Sequence, residues 1–301
     1  MLKRRTDLAV EAAELWREST PGAGELPGVE SRETLREGYK VTTVKVLDGR
    51  GAEALGKPVG SYVTLSLDGL ARREEDAFGR AVRALAAELR PLLPRDEKAP
   101  ALVVGLGNRS ITPDTIGPKA ADHTLVTRHL VDMAPEHFGS FRPVAALAAG
   151  VLGTTGVESG ELVRALVDKI RPACVLAVDA LASRSLSRVC STIQIADTGI
   201  CPGSGVGNAR AALNEETLGV KVIAIGVPTV VDAATLTCDV LAEAGRGDLD
   251  PQALDGAGDG LIVTPKDIDS RAADLSKVIG YGIDLALHPH LTIEDVDLFL
   301  S

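Results

Sequence analysis

Apolar runs alternate with stripes of helical spacing along most of this chain, and that alternation predicts strand after helix after strand. The segments Tyr39–Leu47 (YKVTTVKVL) and Ser61–Leu67 (SYVTLSL) read as a pair of strands. In the second, Val63, Leu65 and Leu67 share one face, as in a half-buried strand. Phe78, Val82, Leu85 and Leu89 then recur at helical spacing until Pro91 stops the run. Beyond it the chain repeats: VVGL, a helical segment after Pro118 through Leu130, PVAALAA, the amphipathic ESGELVRALVDKI, ACVLAVD, TIQIAD, VKVIAIG, and a helix from about Ala233. The expected architecture is α/β: a mostly parallel twisted sheet flanked by helices, with an N-terminal strand pair and a C-terminal helix. That last helix is expected to open at Thr264-Pro265 and to carry Ile268, Leu275, Ile279 and Ile283 on one stripe, which packs back on the core or on a neighbour.

Two stretches read differently. Residues 1–35 are charged and broken by Pro and Gly around STPGAGELPG, which predicts a helical start and a loosely constrained connection. Residues 242–260 are rich in Gly and Asp and read as a loop or linker. There is no internal repeat and no sustained heptad, so residues 9–301 are expected to form one domain.

Composition narrows the function classes. With 42 acidic against 32 basic residues the formal net charge is −10, which argues against nucleic acid as a partner. No run of 18 apolar residues and no signal-like h-region occurs, so a cytoplasmic protein without a membrane partner is expected. The cysteines Cys174, Cys190, Cys201 and Cys238 have no CxxC spacing and read as reduced thiols.

The candidate chemistry is acidic. Residues 101–118 (ALVVGLGNRSITPDTIGP) and 173–185 (ACVLAVDALASRS) each run an apolar strand toward an acid, Asp114 shortly after the first and Asp179 at the end of the second. Parallel strands keep ligands at their carboxyl edge. Residues 192–208 (TIQIADTGICPGSGVGN) repeat the pattern with Asp197 before a glycine-dense loop. A buried carboxylate has a raised pKa, and two acids in one cleft share a proton, so that one activates water while the other donates to the leaving group. Each acid also has a plainer reading. Asp114 can satisfy backbone N–H groups at a helix start, Asp179 can pair with Arg184, Asp197 can form an Asx turn, and Asp232 caps the helix that follows it.

Other chemistries find less support. Gly105-Leu106-Gly107 opens like a dinucleotide fingerprint, but Ser110 replaces the third glycine. The loop CPGSGVGN lacks the Lys-Ser/Thr of a P-loop and fits better as a cleft wall or a bed for an extended peptide. Neither HExxH nor GxSxG occurs, Cys201 has no histidine tied to it by a motif, and His288 and His290 are expected at the surface. Candidate cleft or substrate contacts are Asn108, Arg184, Asp197, Gly203, Ser204 and Gly205. No cofactor is required by these residues, although carboxylates suit a hard cation. A non-catalytic module holding a peptide or anion on the glycine loop is the alternative to an enzyme.

The blocks VVGLGNRSITPDTIGP, LVTRHL, VDALASRS, IQIADTGICPGSGVGN and IGVPTVVDA resemble the germination protease family, spore endopeptidases that degrade small acid-soluble spore proteins. The resemblance covers roughly residues 6–241 and resumes at VTPKDID. It implies a fold related to hydrogenase maturation proteases, a homotetramer, a zymogen made in the developing spore, and functional acids at Asp114 and Asp179. The family has been described both as aspartic-type and as metal-dependent. The 242–260 stretch is shorter than its counterpart in the family. Family substrates carry a hydroxyl residue, an acid, a bulky apolar residue, Ala and, two further on, an acid, an order that Thr6, Asp7, Leu8, Ala9 and Glu11 reproduce. The resemblance therefore implies a propeptide of residues 1–8, cut between Leu8 and Ala9. The plainer reading is an ordinary helix start with Asp7 near the positive end of its dipole.

Overall fold

The computed structural model describes residues 6–20, 25–204, 210–245 and 260–301. Among these, nine strands form one mixed sheet: β1 (Val29–Arg36), β2 (Tyr39–Val46), β3 (Gly60–Ser66), β4 (Ala101–Leu106), β5 (Val144–Gly150), β6 (Cys174–Ser183), β7 (Thr192–Ala196), β8 (Lys221–Asp232) and β9 (Ile262–Val263). The order is β1-β2-β3-β7-β8-β6-β4-β5, with β9 paired to β8. The parallel sheet expected from strand–helix alternation is the β8-β6-β4-β5 half. The other half, β1, β2, β3 and β7, is antiparallel.

Side-chain alternation divides the core across the sheet. Ala101 and Val103 of β4, with Cys174, Leu176 and Val178 of β6, face the helices Ala77–Leu89 and Ile268–Leu287. Leu102, Val104 and Leu106, with Val175 and Ala177, face the helix Ser159–Ile170. These positions are almost wholly buried, and each large aliphatic side chain among them contributes about 1.5–3 kcal/mol. Layered helices on both faces leave the strand ends as the place for polar groups.

Four expectations change. Residues 29–36, read as part of a loose connection, form edge strand β1; its VESRETLR sequence is largely exposed and held by pairing to β2, so it carries no apolar signal. The helix expected to open at Thr264-Pro265 starts at Ile268, and of the two packings open to it, core or neighbour, it takes the core: its residues 278–287 are all buried. A second helix, Ile293–Leu300, follows it. His288, expected at the surface, is completely buried against Phe141, because the turn after this helix folds inward before His290 emerges. Of the linker read at 242–260, residues 242 and 243 belong to the helix Ala233–Glu243, and residues 246–259 lie outside the described residues.

Candidate active site

The ladder between β4 and β6 ends at the pair Gly105–Val178, whereas the ladder between β6 and β8 continues to Ser183. Asp179 is therefore not the end of its strand but the sixth of ten residues, the first to overhang β4. It is 5% exposed, and its Oδ1 accepts from the Ala180 N–H at 2.9 Å. Burial pushes its carboxyl well above the usual carboxylate range, the charge of Asp114 adds to that, the Ala180 bond opposes it, and Asp7 adds a little more.

Asp114 arrives from the neighbouring strand by a tight path. Gly107 turns the chain at φ +112°, a conformation that favours glycine, and a Cβ there would meet the Asp114 carbonyl oxygen at 2.3 Å. One 3-10 turn, Thr112–Asp114, then sends the carboxylate back so that Oδ2 accepts from the Asn108 N–H at 2.7 Å. The bond goes upstream into the loop and not to the following helix, Ile116–Asp122, so the helix-start reading of Asp114 does not hold. Asn108 acts here through its backbone; its side chain accepts from the Ser110 N–H. Burial raises the Asp114 carboxyl, opposed by the Asn108 bond.

Both acids line one cavity of about 390 Å³, within the range of small-ligand sites. It lies at the carboxyl ends of the parallel strands, where β4 has β5 on one side and β6 on the other, the place that topology favours in α/β sheets. Gly203 and Ser204 line it. Gly205 lies outside the described residues.

Asn108 borders the cavity without lining it, and two of the expected contacts are elsewhere. β7 runs antiparallel to β8, which carries Asp197 away from these strand ends; its Oδ1 accepts from the Ser61 N–H at 2.8 Å. The Arg184 guanidinium bonds Asp239 at 3.1 Å and Glu18 at 2.9 Å, so it neither pairs with Asp179 nor lines the cavity. Asp232 reaches the rim but serves as a cap, its Oδ1 accepting from the Thr235 N–H at 2.9 Å. The Cys201 thiol donates to the Arg210 carbonyl.

The N-terminal segment occupies the same place. Asp7 lines the cavity; its N–H donates to the Ala182 carbonyl and the Ala182 N–H returns a bond to its Oδ2, both at 2.9 Å. Ser204 Oγ donates to Asp7 Oδ1 at 2.9 Å. The Asp7 carboxylate is thus spent on the cavity wall, not on the dipole of helix Ala9–Ser19, whose N-cap is Leu8.

Lys57 and Gln194 went unnoticed in the sequence. Lys57 Nζ and Gln194 Nε2 donate to the Asp7 carbonyl at 3.0 and 3.1 Å, while Gln194 Oε1 accepts from the Ala9 N–H at 2.7 Å. Gln194 stands level with Asp179, each paired with Gly226 of β8 from opposite sides. Only the strand register could have revealed this. Burial lowers the Lys57 ammonium, and the charges of Asp7 and Glu11 oppose that shift.

The family model of the germination protease matches residues 9–244. The chain belongs to the germination protease family. It is 44% identical over 327 aligned positions to the germination protease of Clostridium perfringens, covering all of both chains. The germination protease of Clostridium tetani is 44% identical, with 99% of each chain covered. That of Oceanobacillus iheyensis is 38% identical, with 99% of this chain and 96% of the relative covered. Among solved structures, the NiFe hydrogenase maturation protease HycI of Thermococcus kodakarensis aligns loosely, at 18% identity and a TM-score of 0.35, over 62% of this chain and 94% of that one.

Membership makes the chain a protease, and the acids must be judged against that chemistry. Among the described residues no three His, Cys, Asp or Glu side chains are grouped to hold a metal. Asp114 Oδ2 and Asp179 Oδ1 are already committed to backbone N–H groups. Among the described residues, the free oxygens of these two acids are too few to hold a resident metal. Among the described residues, too, no helix is long and apolar enough to cross a membrane.

Proposed function

We propose that this chain is the endopeptidase that begins the breakdown of small acid-soluble spore proteins during germination, with Asp114 and Asp179 hydrolysing the peptide as an acid–base pair. The observation that carries the reading is the sharing of one cavity by two acids in unequal environments, Asp179 almost wholly buried and Asp114 less so. Unequal environments separate the roles of two carboxyls.

Asp114, ionised and with Oδ1 free of the Asn108 bond, takes a proton from water as the water oxygen attacks the peptide carbonyl carbon. Asp179, kept protonated, donates to the peptide nitrogen as the C–N bond breaks and the new amine leaves. The proton on Asp114 then returns to Asp179 through water, which restores the pair. Each turnover consumes one water and yields one carboxylic acid and one amine, which leave as carboxylate and ammonium.

The same reading makes the chain a zymogen of the spore interior that removes its own first residues between Leu8 and Ala9. A homotetramer is part of it, built on surfaces other than the helix Ile268–Leu287, which its own core consumes. Incubation with a small acid-soluble spore protein, with and without a chelator, tests the function. Discrete fragments in both arms support the acid pair, fragments lost on chelation support a metal-dependent peptidase, and an intact substrate refutes the assignment. Light scattering at micromolar concentration reports the assembly.

A further inference from the structure

The ladder between β6 and β8 slips once. Leu181 pairs with Pro228 and Ala182 with Val230, so Thr229 is the extra residue of a β-bulge. Pro228 suits that place, because it has no N–H to withhold from a ladder. Its carbonyl accepts from the Cys190 N–H at 2.7 Å, and the Thr229 carbonyl accepts from Thr264 Oγ1 at 2.8 Å, so the bulge is pinned by two neighbouring segments. Bulges beside active sites re-aim a side chain. Here Thr229 and Val230, consecutive residues that a regular strand turns to opposite faces, both line the cavity of the acid pair.

The Thr229 side chain stands apart in that wall. The residue is 1% exposed, yet among the described residues its hydroxyl makes no hydrogen bond. The polar side chains of Asp7, Ser159, Ser204, Arg210 and Asp232 around it all have protein partners. A buried hydroxyl without a partner is destabilising, and Val would fill the same place without that penalty. The missing partner must come from the cavity.

Position decides what that partner is. Thr229 lies between the levels of Leu181 and Ala182, roughly 8 Å beyond Asp179 along the strand. That is too far for its hydroxyl to meet the carbonyl under attack at the acids. It matches an extended peptide, whose backbone groups recur on one side every second residue, about 6.8 Å apart. The cavity follows the strands for such a length, lined by β6 from Asp179 to Ala182 and by β8 from Thr229 to Asp232. We propose that Thr229 is a substrate-binding residue whose hydroxyl hydrogen-bonds the main chain of the peptide two residues from the bond being cut. The group it recognises is a backbone amide. The contact therefore sets the register of an extended peptide against the acids and adds affinity without adding a side-chain preference.

The inference rests on the reading of this chain as a peptidase, and its test separates the two. The substrate is a synthetic peptide spanning the first cut made in a small acid-soluble spore protein, with versions in which one amide at a time, on either side of the cut, becomes an ester. Thr229→Val should raise KM about tenfold, with kcat little changed and the pH profile of cleavage unmoved. Thr229→Ser, which keeps the hydroxyl, should stay near wild type. In wild type one ester, two residues from the cut, should raise KM by a similar factor. In Thr229→Val that same ester should have no further effect, because the bond it removes is already gone. Thr229→Val should melt no lower than wild type, which a structural hydroxyl would not allow. An unchanged KM, or ester effects equal in both chains at every position, overturns the inference. So does a loss confined to kcat with a shifted pH profile, which puts the hydroxyl on the acid pair, or a Thr229→Ser chain as impaired as Thr229→Val. A Thr229→Val chain that melts lower or fails to fold makes the hydroxyl structural and also overturns it. Wild type that cuts no spore protein removes the peptidase reading and this inference together, whereas wild type that cuts and is matched by Thr229→Val removes the inference alone.

Discussion

The charge of Asp114 bears on Asp179 across the cavity and reinforces what burial alone imposes, a carboxyl held protonated far above the usual carboxylate range. Two acids acting as one unit should fail together. Asp114→Asn and Asp179→Asn are each expected to lower cleavage of a spore protein by orders of magnitude, and the double variant should be little worse than either single one. Near wild-type cleavage by a folded single variant would remove that residue from the mechanism. Asp232→Asn, at a cap that Asn fills as well, should be almost silent.

The same shift makes Asp179 a burden on stability at neutral pH. In the unfolded chain an aspartate ionises near pH 3.9, while folded Asp179 keeps its proton to a much higher pH. The folded state therefore binds more protons in that window, and stability falls as pH rises through it. Asp179→Asn removes the effect, so the inactive variant should melt higher than wild type at pH 7 and show no such gain at pH 3. Asp284 gives an independent comparison. It is fully buried in the helix Ile268–Leu287, its Oδ1 accepts from the Leu125 N–H at 2.9 Å, and its carboxyl is also pushed well up by burial. Asp284→Asn should raise melting at pH 7 with cleavage unchanged. Calorimetry at the two pH values checks both, and a lower melting temperature for Asp179→Asn at pH 7 would contradict the account.

Acid should unfold the chain partly through His288. Its ring is completely buried, neither nitrogen has a hydrogen-bond partner among the described residues, and burial lowers its pKa to about 4, with His290 and Arg142 adding to the shift. The unfolded imidazole takes a proton near pH 6.5 and the folded one only near 4, so stability is lost as pH falls between those values, by about 3 kcal/mol in all. His288→Phe keeps a ring against Phe141, 5.2 Å away, and should flatten that part of the denaturation profile. An unchanged slope between pH 6.5 and 4 would show that His288 is not the group responsible.

How much of this was legible in the sequence follows from what each residue reports locally. Apolar runs announced β4, β6 and β8, because strands buried on both faces must be apolar throughout. The same runs delivered Asp114 and Asp179, each the first acid after a buried strand segment. Direction was invisible: nothing in TIQIAD says that β7 runs antiparallel, and on that reversal hangs the loss of Asp197 from the cavity. Gln194 and Lys57 were missed for a related reason. One is a polar residue inside a strand and the other follows a short helix, and only register brings them to the Asp7 carbonyl. His288 shows the limit at a helix end, where the burial of the turn depends on Phe141 packing from elsewhere in the chain.

The last prediction concerns activation. The segment expected to be cut is not a loose tail in the described structure: Asp7, Leu8, Ala9 and Glu11 are bonded or buried at the cavity. Cleavage between Leu8 and Ala9 leaves a carboxylate on one fully buried residue and an ammonium on the next, where a neutral amide stood, and the cost of burying those charges favours expulsion of the cut ends. The mature chain should begin at Ala9. Asp179→Asn should keep its full N-terminus unless active enzyme is supplied in trans. Asp7→Asn, which weakens the bonds to Ala182 and Ser204, should slow processing more than it slows cleavage of a spore protein by chain already processed. N-terminal sequencing of protein from late-developing or germinating spores decides among the outcomes. A mature chain starting at Leu8 moves the cut one bond earlier, to the carbonyl held by Lys57 and Gln194. An intact Met1 or Leu2 on fully active enzyme refutes self-processing.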